Sequence, residues 1–544
     1  MVSLNRILLF RIWWGFLLVL LLANAALPTT AWGQAPSVQW IQQFGSVGFD
    51  AASKVAVDSS GVYAVGMTGG ALPGQTWLGG FDAYLRKYDA AGNVQWTRQF
   101  GTGSDDIAES VAVDASGVYV SGLTLGTLPG ETTAGGSDVF VRKYDLAGNV
   151  LWTRQFGTSG GDSADAVAAD ASGVYVAGLA FFALPGQTSA GGPDVFLRKY
   201  DLVGNVLWTR QFGSPAIDFP SGVALDASAV YVLGETAGAL PGQTSSGADD
   251  IFLRKYDASG NVQWTLQYGS TDQDNAGQVA SDASGIYIVG TTSGTLPGQI
   301  KQGGTDGFVR KYDTSGREDW TRQFGNTRGV FVYGMAADGT GIYVVGETIG
   351  PMPGQPQDNR GNSDAFARKY DTNGNELWTK QFAAVTDVDT QPLGSDDVAY
   401  GVAVGPSGIY VAGKTAGNFS GGGNAGNFDA FVMRLTENRP YLVGDGVPAD
   451  FDTAGGFGDD VLNNLDLIYA LRAVTQVPGF TPAPCTDRFD AMDSFPLDAP
   501  GARGGDGLLN NLDLIRTLRR ITNIDTSRPT RTPRGITPCP SPPR

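Results

Sequence analysis

The stretch WTRQFGTGSDDIAESVAVDASGVYVSGLTLGTLPGETTAGGSDVFVRKYDLAGNV, Trp96 to Val150, is one copy of a unit that recurs along the chain. Its leading tryptophan reappears as Trp40, Trp96, Trp152, Trp208, Trp264, Trp320 and Trp378, at steps of 56 residues and a last step of 58. A fixed period of this length marks a repeat array. Period-two alternation predicts four short strands in each unit, here Ile107–Asp114, Val118–Thr124, Asp138–Tyr144 and Val150–Phe156. Asp114-Ala-Ser-Gly117 and Asp145-Leu-Ala-Gly148-Asn149 are turn signals, because Asp bonds the local backbone and Gly or Asn accepts positive φ. The longer Gly/Pro loop Leu128–Gly136 makes the remaining connection, and no helical pattern lies inside the unit.

Four antiparallel strands repeated radially make a β-propeller; a β-solenoid, the rival, has shorter coils without tight hairpins. The ends of the array set the blade number. The last unit runs through Val398–Val404, Gly408–Thr415 and Phe428–Leu435 and lacks a Trp strand. The lone N-terminal Val38–Gly45 would supply it, closing seven blades and removing exposed strand edges. The expected fold is all-β, a seven-bladed propeller over residues 38–435, with a small α-helical C-terminal module.

The segments VAVDASGVYVSG (Val111–Gly122) and DVFVRKYDLAGNVLWTRQFG (Asp138–Gly157) resemble the bacterial SBBP β-propeller repeat. The resemblance runs from Val38 to Leu435. It implies an extracytoplasmic propeller and no single activity.

The 544 residues suffice for one large domain and a small one. Arg6 and Arg11, the apolar run Ile12–Leu22 and the small residues Ala23-Asn24-Ala25 or Ala31-Trp32-Gly33 predict a signal peptide over 1–33, cleaved after 25 or 33. Its removal would leave a secreted or surface protein without a membrane span; a retained anchor is the other reading. A net charge of −17 argues against nucleic acid and anionic membranes, and suits divalent cations, a cationic partner or plain solubility. Of 54 acidic residues, 47 are Asp, the acid that serves turns and oxygen-ligand sites. The absence of histidine excludes Ser-His-Asp and Cys-His catalysis and His-ligated zinc. The two cysteines, Cys485 and Cys539, are expected to pair in an oxidising compartment.

Aligned units expose two aspartate columns. Asp82, Asp138, Asp194, Asp250, Asp306, Asp364 and Asp429 begin the third strand, as caps on loop amides or as metal ligands. Asp50, Asp106, Asp162, Asp218, Asp274 and Asp397 precede the first strand, with Val330 interrupting the column. They are the propeller-mouth candidates, for a cation site or acidic funnel, or for one more turn cap per blade. The Arg86, Arg142, Arg198, Arg254, Arg310 and Arg368 column and the Trp column suit inter-blade packing.

After a linker at 436–441, residues 442–527 hold two related segments, GDDVLNNLDLIYALR (Gly458–Arg472) and GDGLLNNLDLIRTLR (Gly505–Arg519). Leu465, Ile468 and Leu471, then Leu512, Ile515 and Leu518, have helical spacing behind oxygen-bearing residues, as an EF-hand-type calcium loop requires. This duplication resembles a type I dockerin. The resemblance implies calcium ligation by Asp459, Asn463 and Asp466 and by Asp506, Asn510 and Asp513. Its first-half ligand positions hold Gly455, Phe457, Ala502 and Gly504 instead, so Asp450, Asp452, Asp490 and Asp493 serve only if an insertion loops out. Dockerins bind cohesin modules, so a cohesin-like or surface partner is expected, and a helical hairpin without calcium is the alternative. The Pro/Arg-rich tail at 528–544 is expected to lack order.

The near-equivalence of units favours a non-enzymatic binding scaffold, with a glycan among its candidate ligands. The alternative is a glycoside hydrolase or polysaccharide lyase using mouth carboxylates. A Glu or Tyr unique to one blade and projecting into a deep pocket would favour that alternative.

Overall fold

A computed structural model describes residues 35–355, 363–384, 396–419, 424–437, 441–442 and 530–531. The expected signal segment lies outside the described residues. So do Cys485, Cys539 and the expected calcium ligands Asp459, Asn463, Asp466, Asp506, Asn510 and Asp513, with Asp450, Asp452, Asp490 and Asp493. Of the expected tail, Thr530–Arg531 is described and pairs antiparallel with Tyr441–Leu442.

Seven four-stranded antiparallel sheets follow one another. The second blade comprises Asp106–Asp114, Gly117–Thr124, Asp138–Tyr144 and Val150–Phe156 in sequential order. The strand-forming signal is strongest in the second strand, GVYV, where Val118, Tyr119 and Val120 are wholly buried. Gly117 enters it at φ 149°, a conformation that disfavours any side chain. Asp114 holds the turn by accepting the amide of Ser116 at 2.7 Å.

The first strands are Asp50–Asp58, Asp106–Asp114, Ser163–Asp170, Asp218–Leu225, Asp274–Asp282, Gly329–Asp338 and Asp397–Gly405. Each packs against the first strand of the next blade, and the last packs against the first. They therefore form the wall of a central channel. The ring closes as the spacing predicts. Ser37–Phe44 pairs with Asp429–Thr436 as the outer strand of the seventh blade, placing Trp40 opposite Arg434 and Gln43 opposite Phe431.

The core lies between blades, not within them. Tyr119, Val139, Val141 and Trp152 of one blade pack on Val174, Val176, Phe196 and Tyr200 of the next. The Trp152 indole donates to the Leu202 carbonyl across the junction at 3.2 Å. The arginine column crosses the same gaps. Arg86, Arg142, Arg198, Arg254, Arg310 and Arg368 stand over Phe44, Phe100, Phe156, Phe212, Tyr268 and Phe324 of the preceding outer strand. Their cation–ring distances run from 3.6 Å at Arg198 to 4.4 Å at Arg368. Met433 takes this position in the seventh blade.

Candidate functional site

Every first strand carries one unpaired residue where its register with the second strand skips: Ser53, Glu109, Asp165, Ser221, Gly277, Tyr333 and Tyr400. A bulge leaves one residue outside the ladder and re-aims its side chain. Seven bulges at one level of the channel wall thus set seven residues of five types around one ring. Ser53, Glu109, Asp165, Tyr333 and Tyr400 line a cavity of about 290 Å³, together with Lys54, Phe49, Ala51, Met67 and Ile107. Its volume is near the lower end for small-molecule sites, roughly 300–1,000 Å³.

The ring is chemically lopsided. The second and third blades bring Glu109 and Asp165; the sixth and seventh bring the tyrosines. Burial raises the Glu109 carboxyl, and the Lys54 charge partly offsets this. Burial, then the neighbouring Glu109 charge, pushes Asp165 up to about 7, while the Ser163 hydroxyl donates to it at 3.1 Å. The Tyr333 hydroxyl donates to Glu347 at 2.6 Å, and its ring centroid lies 5.4 Å from that of Tyr400. Lys54 reaches the carbonyls of Tyr333 and Tyr400 at 3.5 and 3.4 Å, and burial lowers its amine to about 8. A carboxyl at Asp165 raised to about 7, beside an amine lowered to about 8, can both donate and accept protons there.

The propeller-mouth candidates stand elsewhere. Asp50, Asp106, Asp162, Asp218, Asp274 and Asp397 are at most 1% exposed, and none lines the cavity. Each caps the turn before its strand. Their carboxylates accept the amides of Ser46, Thr102, Thr158, Ser214, Ser270 and Ala384. Where Val330 replaces the aspartate, Asn326 ties the turn by accepting the amide of Arg328 at 2.8 Å. Asp82 and its equivalents cap the Gly-rich loop, with Asp138 accepting from the Ala134 amide and the Gln155 side chain. Among the described residues no group of three or more acidic or cysteine side chains is arranged to hold a metal.

The sequence carried one signal for the channel ring that the aspartate columns obscured. In the alignment of the units this is a column in which chemistry changes from unit to unit, Ser53, Glu109, Asp165, Ser221, Gly277, Tyr333, Tyr400, after a column that is mostly alanine. Which face the column takes is a property of the bulge, and alternation alone assigns it wrongly.

Residues 319–351 match the SBBP family model, described as a beta-propeller repeat. The match spans the outer strand of the fifth blade and the first two strands of the sixth. A curated relative is the regulatory protein FlaEY of Caulobacter vibrioides, 26% identical over 309 residues. That alignment takes in 51% of this chain and 32% of the relative, so the chain spans about a third of its length. Similar solved structures include the WD40 beta propeller domain of Doa1, with a TM-score of 0.41 and 11% identity over 73% of this chain and 96% of that one. BamB from Moraxella catarrhalis gives 0.37 and 12% over 74% and 100%. Phage phi92 endosialidase gives 0.39 and 12% over 76% and 71%.

Proposed function

We propose that the propeller is an extracytoplasmic, non-enzymatic binding scaffold whose ligand enters the central channel. The near-equivalence of the blades elsewhere supports a scaffold, and the lopsided cavity supports the channel as its ligand site: the repetition breaks where Glu109, Asp165, Tyr333, Tyr400 and Lys54 meet. Mixed carboxyl, amine and tyrosine groups of nearly balanced charge suit a neutral, hydroxyl-rich ligand of about one sugar ring. In this proposal the C-terminal dockerin-like segments bind calcium through Asp459, Asn463, Asp466, Asp506, Asn510 and Asp513 and tether the protein to a cohesin-like or surface partner. The secretion signal, the acidic charge and the resemblance support that part. A glycan array probed with the full chain tests the channel. Binding that disappears with Glu109→Gln and Tyr400→Ala supports it; binding indifferent to both, or no binding, refutes it. Calcium titration of the same protein tests the tether, with heat release expected and lost after Asp513→Ala.

A second reading is favoured by one observation. Glu109 is the one glutamate at this position and lines the pocket, which favours a glycoside hydrolase or polysaccharide lyase. In that reading Asp165, held up to about 7, is the proton donor and Glu109 its partner. Release of reducing ends from an array-positive glycan, abolished by Asp165→Asn, separates it from binding alone.

A further inference from the structure

We infer that Lys54 captures carbonyl compounds: the channel cavity takes a small polar aldehyde or ketone and holds it as an imine on Nζ. The inference rests on the channel being the ligand site and goes one step further, to the chemical class of what it holds.

The other lysines of the propeller, apart from the exposed Lys301, are committed to structure. Lys87 and Lys143 bond hairpin carbonyls of the next blade at 3.1 Å and lie over the Tyr63 and Tyr119 rings. Lys255 bonds the equivalent carbonyl of Thr314 at 2.9 Å, Lys311 reaches that of Thr372 at 3.5 Å and pairs with Asp319 at 3.9 Å, and Lys199 bonds Ser172. Lys380 holds the Pro36 carbonyl, and Lys414 stands over Phe49, Tyr400 and Phe428. Lys54 follows a bulge residue and points along the channel wall. Its two carbonyl contacts, at 3.4 and 3.5 Å, are at the weak end of hydrogen bonding. Among the described residues it makes no ion pair. Gly401 of the seventh blade lies against the Lys54 backbone, where a Cβ would meet the Lys54 Cα at 2.9 Å, so the first strands of these two blades approach closely at this level.

The groups facing Lys54 supply the proton traffic. Glu109 and Asp165 line the cavity from the second and third blades, Tyr333 and Tyr400 from the sixth and seventh. Glu347 sits behind, bonded to Tyr333, and its charge also acts on Lys414. The neutral amine adds to the carbonyl carbon. The carbinolamine then loses water, and a carbon–nitrogen double bond replaces the carbon–oxygen one. The protonated Asp165 carboxyl gives its proton to the departing hydroxyl and recovers one from nitrogen. No oxidant or reductant enters. An amine brought from 10.5 to about 8 by burial is free base at neutral pH about 300 times more often, which makes Lys54 the nucleophile available in this pocket.

The test is reductive trapping on the full-length protein. Glycolaldehyde or glyceraldehyde is added at pH 7 with cyanoborohydride, and modified lysines are mapped by peptide mass spectrometry. Saturable labelling of Lys54, about tenfold above the exposed Lys301, is expected, and Glu109→Gln should slow it. Labelling of Lys54 no greater than Lys301, or linear in aldehyde without saturation, overturns the inference. Mapping on the unaltered protein needs no variant to fold; Lys54→Arg serves as the blank. If trapping fails while glycan binding through Glu109 and Tyr400 persists, only the imine is lost. If both fail, the channel reading falls with it.

Discussion

Gly157 has no room for a side chain. A Cβ there would lie 2.4 Å from Asp138 Oδ1 and 2.8 Å from Asp162 Oδ2, both carboxylates buried and already holding loop amides. Gly157→Ala is expected to destabilise the protein by about 2–3 kcal/mol, read as a lower urea midpoint, because neither cap can retreat without losing its donors. Asp165 makes a different kind of claim. Its carboxyl titrates near 7 in the fold and near 3.8 outside it, so the folded state holds the proton more tightly. Stability is therefore greatest at low pH and falls as pH rises from about 4 to 7. Asp165→Asn should flatten that slope and add about 1–2 kcal/mol at pH 8, allowing for a side chain that borders an open cavity. Urea midpoints at pH 5 and pH 8 give the difference directly. Lys54 acts in the opposite sense higher up, since an amine lowered from 10.5 to about 8 makes stability rise across that interval.

The first strand of each blade combines two demands that its alternation does not separate. Asp106, at its start, serves the turn, and Ala108 and Val111 serve the core, while Glu109 is pushed out of the ladder between them. Strand periodicity located the strand to within a residue. It could not say that the ladder skips at Ala108/Ser110, because a bulge depends on hydrogen bonds to the second strand. The third strand was more legible. Its Arg-Lys-Tyr pattern places the guanidinium on the blade interface, and Arg198 lies 3.6 Å from the Phe156 ring with its Nε on the Thr209 hydroxyl at 2.9 Å. Arg198→Met copies what the seventh blade has at Met433. It should cost about 1–2 kcal/mol in thermal or urea unfolding, since the cation–ring contact is lost and the aliphatic stem remains.

Closure is the property that belongs to the chain as a whole. Ser37–Phe44 and Asp429–Thr436 are separated by the entire repeat array, and their pairing seals the circle. Removing residues 37–44 would leave the backbone of Asp429–Thr436 without its outer partner. The shortened protein should melt about 10 °C lower and self-associate in size-exclusion chromatography. The circle, its seven members and its seal were decided by local chemistry: a 56-residue period, paired turn signals, and a missing last strand matched by a spare first one. Each is visible along the sequence, because strand alternation, turn residues and their repetition are enough to express them. The position of the ring of bulge residues was not. Six aspartates that suggested a charged mouth are buried as turn caps, and Glu109, Asp165, Lys54, Tyr333 and Tyr400 came together from positions up to 346 residues apart. Only the tertiary structure could bring that about, because facing the channel requires a skipped register in every first strand and a closed circle around which the skips converge.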